Sequence, residues 1–328
     1  MKNLIKILSI CFMVIFLGVM FVSIILAASL KIGIVQIVEH PALDAARDGF
    51  ITALAEAGFR EGQEVIYDLQ NAQGDFNNAI SIAQKFKDDK VDMIVAIATP
   101  TAQAALQVNK EIPIIINAVT DPVAANLAQS WESSGNNVTG MSDAAPNALQ
   151  IKLITRLLPQ VKNIGTIYNA GEVNSVVQVE EVKNTCKELN INLIEVTVSN
   201  SSDVLMAAQS LVGRVEAVYI VTDNTAVSAI ESIVKVCNQE KIALVVADPS
   251  LVDKGALASY GIDYFNLGKK SGEMALKVIK GTKPSEIPIQ KMDKEEELQF
   301  VINLKAAKIL NLSISEEILK QADKIIED

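Results

Sequence analysis

One histidine, three cysteines and one tryptophan among 328 residues leave few of the side chains that catalysis and metal binding draw on. His40 is the single histidine, which argues against a Ser-His-Asp or Cys-His device within one chain. No CxxC or Cys/His cluster gives a zinc signature. The sequences GxxxxGKS/T, GxGxxG and GxSxG are all missing, which argues against a P-loop, a dinucleotide fingerprint and a hydrolase elbow. Carboxylate pairs occur, but none at a spacing that singles out acid/base work. No catalytic residue, metal or cofactor is therefore expected. Positive charge is also short: 29 basic against 39 acidic side chains give a net charge of −10. Without Lys2 and Lys6 the balance is 27 against 39, or −12. An acidic chain repels phosphate backbones, so no nucleic-acid partner is expected.

Hydrophobic residues make up 50% of the chain, mostly Ala, Val, Ile and Leu. That stock suits buried parallel strands covered by helices, and the length suits two domains. Lys2 and Lys6 precede an unbroken apolar run from Ile7 to Leu26, closed by Ala27-Ala28-Ser29. Residues 1–28 read as a secretory signal peptide or as an uncleaved membrane anchor, since a helix over residues 7–26 spans about 30 Å. Both readings place the body outside the cytoplasm, secreted, periplasmic or at the cell surface. No cysteine follows the run to accept a lipid. Cys186 and Cys237, in the body, read either as small buried hydrophobes or as a pair.

From Lys31 onward, strand-like and helix-like segments alternate. Ile32–Val38, Val65–Leu69, Val91–Ala98 and Ile112–Val119 are strand-like. Leu43, Ala46, Phe50, Leu54 and Ala57 recur at helical spacing, as do Phe76, Ala79, Ile80, Ala83 and Phe86. A polar loop at Ser133–Asn137 breaks the series, which restarts at Ile164–Tyr168. Strands at Ile191–Val198, Ala217–Val221 and Ile242–Ala247 alternate there with helices near 175–189, 204–212 and 226–237. Two doubly wound parallel-sheet lobes in series follow, α/β in class. The tail holds a strand at Ala256–Tyr260, a helix at Leu267–Ile279, a strand near Gln299–Asn303 and a closing helix near Glu316–Ile326, with Ser313 and Glu316 at capping-box spacing. This surplus suits a chain that crosses between lobes and forms a multi-segment hinge. The expected partition is 29–142 with 257–282 in lobe one, and 143–256 with 283–328 in lobe two.

Polar residues cluster where strands end, the place at which open α/β sheets bind ligands. Lobe one offers Glu39-His40, Thr99-Pro100-Thr101 and Thr120-Asp121. Lobe two offers Asn169, Thr222-Asp223-Asn224 and Asp248. Thr99 with Pro100 opens a helix whose free N–H groups can hold a carboxylate, or it caps that helix and nothing more. Asp223 is the first choice to meet an ammonium, with Asp143 and Asp121 in reserve; it too could serve only as a cap. Tyr168, Tyr260 and Tyr264 suit stacking on a ring or packing at lobe surfaces.

Six segments together resemble the ABC-transporter substrate-binding proteins of type I periplasmic-binding fold, in the branch with tryptophan- and phenylalanine-binding members. They are residues 34–50 (IVQIVEHPALDAARDGF), 117–127 (NAVTDPVAANL), 136–143 (NNVTGMSD), 163–175 (NIGTIYNAGEVNS), 255–268 (GALASYGIDYFNLG) and 300–314 (FVINLKAAKILNLSI). The resemblance implies a cleft between lobes that captures a small solute, an amino acid with an apolar or aromatic side chain, by closure. It implies delivery to an ABC permease and its ATPase subunit, by a monomer that touches the membrane only through its first segment. Carried over by position, the cleft gains Ser142, Asp143, Asn174 and Ser175. Relatives often carry a lipidated cysteine after the signal, where this chain has Ala27-Ala28-Ser29. The same scaffold also serves extracytoplasmic sensors and, less readily here, enzymes.

Overall fold

A computed structural model describes residues 29–292 and 294–327. The N-terminal segment read as signal or anchor lies outside the described residues. Among those described, no helix is long and apolar enough to cross a membrane.

The first lobe begins with β1 (Leu30–Gln36), whose Ile32, Ile34 and Val35 are buried. It continues through α1 (Pro41–Glu56), β2 (Val65–Asn71), α2 (Phe76–Asp88), β3 (Met93–Ile97), α3 (Thr99–Val108), β4 (Ile114–Asn117) and β5 (Val138–Ser142). Pro41 and Pro100 sit in the first turns of α1 and α3, where a missing N–H costs no bond. The strands β3 and β4 are buried at every position, as apolar runs covered on both faces must be.

The second lobe holds α4 (Asn147–Leu157), β6 (Asn163–Asn169), α5 (Val173–Glu188), β7 (Asn192–Val198), α6 (Val204–Ser210), β8 (Ala217–Ile220), α7 (Asn224–Ser228), α8 (Ile230–Glu240), β9 (Ala243–Val246) and β10 (Ala258–Ile262). Then α9 (Tyr264–Ile279) returns to the first lobe and packs along α1. There Gly49 and Gly268 let the helices touch: a Cβ at either would stand 2.0 Å from a backbone oxygen of the other helix. Finally come β11 (Gln290–Lys291), β12 (Leu298–Asn303), α10 (Leu304–Ile309), α11 (Glu316–Leu319) and β13 (Lys324–Ile326).

The first sheet runs β11-β5-β4-β3-β1-β2 and is parallel throughout. The second runs β13-β12-β10-β9-β8-β6-β7, parallel except where β12 meets β10. The fold is thus two doubly wound α/β lobes, and the chain crosses between them after β5, β10 and β11. Two lobe boundaries differ from expectation. Residues 258–262 belong to the second sheet, because Ala258 pairs with Val245 of β9, so of the expected segment 257–282 α9 is the element that returns to lobe one. Gln290 and Lys291 pair with β5 of the first sheet, so residues 283–291 do not belong to lobe two. The expected closing helix at 316–326 stops at Leu319, and Lys324–Ile326 pairs beside β12 instead. Its cap is Ser315, not Ser313. Cys186 and Cys237 are both buried and free.

Candidate functional site

The carboxyl ends of both sheets' strands meet across the cleft, and a cavity lined from both lobes lies between them. From lobe one it is lined by His40, Ala42 and Leu43 at the start of α1, by Ala98 and Thr99 where β3 turns into α3, and by Ala118 and Thr120 after β4. Lobe two contributes Asn174, Thr222, Asp223, Asn224, Val227 and Asp248, while Asp143 and Tyr264 stand at two of the crossings. The backbone is strained here. Ala98 and Ala118 have φ of 80° and 61°, in the region that side chains avoid. Such residues cost about 1–3 kcal/mol each and gather where function requires a shape.

Each carboxylate in the cavity is fixed by its own element. Asp223 caps α7, accepting from Ala226 N at 2.6 Å, from Asn169 N at 2.6 Å and from Ser175 Oγ at 2.6 Å. Asp248 accepts from Ser250 N and Ser250 Oγ at 2.9 and 2.7 Å. Asp143 accepts from Thr120 Oγ1 at 2.8 Å and from Tyr264 Oη at 3.0 Å. Burial pushes Asp223 up to about 7, helped by the nearby Glu172, and Asp248 up to about 6, helped by Asp143 and Asp263. Burial also raises Asp143. It lowers His40 to about 4, against the pull of Asp44 and the Asn224 side chain. No lysine or arginine among the described residues lines the cavity. Three buried carboxylates without a lining cation stand beside unpartnered His40 Nδ1, Thr99 Oγ1 and Asn174 Oδ1, an imbalance that positive charge with its own donors and acceptors would relieve.

Of the residues singled out in the sequence, the structure gathers His40, Thr99, Thr120, Asp143, Asn174, Asp223, Asn224 and Asp248 around the cavity. Six stand elsewhere. Glu39 is exposed and faces a separate surface hollow. The Thr101 hydroxyl donates back to the carbonyls of Ile97 and Ala98. Asp121 holds the turn through Val123 N and Ala124 N. Ser142 is buried and donates to the Thr120 carbonyl at 2.7 Å. Ser175 and Asn169 lie behind Asp223 and orient it. Two residues outside the expected set belong with the site. Tyr264 was separable from other tyrosines only by the crossing just before it. Glu172, 7% exposed, accepts from Asn224 N, Thr225 N and Thr225 Oγ1 and so fixes the start of α7.

The family described as ABC transporter substrate binding protein matches residues 31–326. A tyrosine-binding protein of Clostridioides difficile is 44% identical over 282 residues, 86% of this chain and 81% of that one. A Streptococcus protein solved in complex with L-Trp is 34% identical, with 91% of this chain and 100% of that one covered and a TM-score of 0.87. A ligand-free, open substrate-binding protein from Clostridium difficile is 39% identical over 91% of this chain and 100% of that one, yet its TM-score is 0.68. Greater identity with lesser likeness means that the lobes are set here as in the ligand-bound relative. A type I periplasmic-binding fold, closed around a cavity lined from both lobes, and a family match over nearly the whole body agree: the chain belongs to the ABC transporter substrate-binding proteins.

Proposed function

We propose that this protein captures an aromatic α-amino acid outside the cytoplasm and delivers it to an ABC permease driven by its ATPase subunit. The observation that carries this reading is the closed cavity itself, with three buried carboxylates, no lining cation and unpartnered polar atoms on both lobes. A zwitterion supplies what is missing. Its ammonium meets Asp223, and its carboxylate meets the first turn of α3, where Thr99 Oγ1 and N–H groups without intrahelical acceptors converge. Its side chain lies against Leu43, Ala98, Ala118 and Val227. Neither lobe alone satisfies both charges, so ligand favours the closed form, and closure makes the surface that a permease reads. The tyrosine-binding and L-Trp-bound relatives fit an aromatic side chain. The sequence reading of residues 1–28 as signal or anchor supports export.

The test is mass spectrometry of small molecules released on denaturing the purified protein, followed by calorimetry with L-tyrosine, L-tryptophan and a sugar. Release of an aromatic amino acid that rebinds stoichiometrically supports the reading. Binding of the sugar alone, or turnover of the bound molecule, would sink it.

A further inference from the structure

Glu172 stands at the N-cap position of α5, yet its side chain makes no capping bond to that helix. Its carboxylate is turned toward the wall of the cleft instead. Oε1 accepts from Thr225 N at 3.2 Å and from Thr225 Oγ1 at 2.8 Å. Oε2 accepts from Asn224 N at 3.2 Å, and it gathers the side-chain Nδ2 groups of both Asn224 and Asn174. These two asparagines line the cavity, and Glu172 does not. One oxygen behind the wall therefore sets the sense of two amides in front of it.

For Asn174 that sense is forced. Its Nδ2 lies 3.2 Å from Glu172 Oε2, 2.9 Å from the Thr222 carbonyl oxygen and 3.2 Å from Ser175 Oγ, whose own proton goes to Asp223. A reversed amide would set Oδ1 against three acceptors. Oδ1 must therefore point away from them, and it has no partner in the protein although Asn174 is only 3% exposed. A buried acceptor left open in a cavity wall calls for a donor. Ser175 Oγ links Asn174 to Asp223 and so holds the two side chains together. On Asp223, Oδ2 takes Asn169 N and Ser175 Oγ, while Oδ1 takes only Ala226 N and keeps a lone pair. An ammonium carries several N–H donors, more than that lone pair can serve. Because the N–H end of the Asn174 amide rests on a carboxylate, the amide is polarised and its oxygen accepts more strongly.

Resting on the amino-acid reading above, we propose that Asn174 Oδ1 is a second acceptor for the ligand's ammonium, and that Glu172 is the positioning residue that aims it without touching the ligand. Asp223 supplies the charge, and Asn174 supplies direction. The cleft thus selects free α-amino acids over analogues whose amine is missing or alkylated.

The experiment is calorimetry on the whole protein, stripped of co-purified ligand by unfolding and refolding. The probes are L-tyrosine and L-tryptophan, their N-methyl derivatives, and the amine-free 3-(4-hydroxyphenyl)propanoate and indole-3-propanoate. In the unaltered protein the better-bound amino acid should exceed its amine-free analogue by about 100-fold or more, and its N-methyl derivative by about tenfold. Asn174→Leu should cut the advantage over the amine-free analogue by about tenfold. Glu172→Gln should cut it by about three- to tenfold, because the new Nε2 can donate to Asn174 Oδ1 and let that amide turn. A Glu172 that only braced α7 would weaken amino acid and analogue alike. An unchanged ratio in either variant, once thermal unfolding shows it folded, therefore overturns the proposal and leaves the amino-acid reading standing. An N-methyl derivative bound within about threefold of its parent overturns it as well, and that measurement needs no variant. Amine-free analogues bound as tightly as the amino acids overturn this proposal and the amino-acid reading together. So does binding of none of the probes, with a different class of solute held instead.

Discussion

Thr120 of the first lobe and Thr222 of the second face each other across the cleft, their Oγ1 atoms 3.4 Å apart. Gln178 donates to Thr222 Oγ1 at 2.6 Å, and Thr120 donates to Asp143 at 2.8 Å. The Thr222 proton is therefore the one that completes a chain from Gln178 through both lobes to Asp143. Such a chain exists only when the lobes are closed. Because each link polarises the next, it favours the closed form beyond simple contact.

Thr222→Val removes this link with little change of shape. The closed form should lose about 1 kcal/mol, the net worth of one such bond. Ligand affinity should fall by about three- to tenfold, with ligand-free melting hardly altered, since the lost bond joins lobes and not a core. Calorimetry and thermal unfolding on the variant check both. Unchanged affinity would show that the two hydroxyls merely pass each other.

Asp223 carries a double load. It lines the cavity, and it also ties Asn169 at the end of β6 to α7 through two backbone N–H groups. Asp223→Asn turns one acceptor oxygen into a donor and sets it against a donor already there. Stability should fall by about 1–3 kcal/mol for the unsatisfied buried group. Affinity for the amino acid should fall by about 2–5 kcal/mol if the ammonium loses its counter-charge. The sequence left two roles open for Asp223, an ammonium partner or a helix cap, and the structure shows the cap. A stability loss with unchanged affinity would reduce Asp223 to a cap.

Protonation gives a third handle. Asp223 near 7 and Asp248 near 6 lie above the ordinary carboxyl value of 3.8, so both hold protons in the fold that the unfolded chain releases. Their contribution is full below 3.8 and is lost as pH rises through 6 and 7. His40, lowered to about 4 from 6.5, works the other way, and its contribution is lost as pH falls from 6.5 to 4. The ligand-free protein should therefore gain melting temperature as pH falls from 8 to about 5, because the two protons held by the carboxyls outnumber the one that His40 refuses. An ammonium at Asp223 keeps that carboxylate ionised, so bound amino acid should flatten the gain. Thermal unfolding across this range, with and without ligand, measures it. A melting temperature that falls between pH 8 and 6.5 would contradict the burial of these carboxyls without a cation.

Much of this arrangement is written in periodicity. Met93–Ile97 and Ile114–Asn117 are apolar runs too short for helices, and the helices between strands repeat at three and four. What escaped was set by tertiary contact. The strand Val138–Ser142 contains Gly140, where a Cβ would lie 2.0 Å from the Ile116 carbonyl, and polar residues that read as loop. Lys324–Ile326 gained ladder bonds beside β12 that outweigh its helical spacing. In the site, strand ends located the cleft but not the facing of each side chain. Glu39 and His40 are adjacent, yet one is exposed and the other lines the cavity. Loops lack a period, so no spacing separates such neighbours. Tyr264 depends on where the chain crosses, hence on the pairing of β10, which no local signal encodes.

Thr99 offers the cleanest separation of ligand binding from folding. Its side chain is 2% exposed, and its Oγ1 has no partner in the protein, although it opens α3 where a Thr hydroxyl often caps. A buried hydroxyl without a partner costs about 1–3 kcal/mol, so nothing within the fold justifies it. The proposed ligand carboxylate does, by accepting from that hydroxyl beside the free N–H groups of the first turn. Thr99→Val keeps the volume and the branching at Cβ and removes only the oxygen. Ligand-free stability should hold or rise, by up to about 1 kcal/mol, because an unpaired polar atom has been replaced by a methyl. Affinity for the amino acid should fall by about 1.5–3 kcal/mol, the range for a bond to a charged group. The two effects have opposite signs, which loss of a helix cap cannot produce. Denaturant unfolding and calorimetry on the one variant decide it: a loss of stability with intact affinity would make Thr99 part of the helix and not of the site.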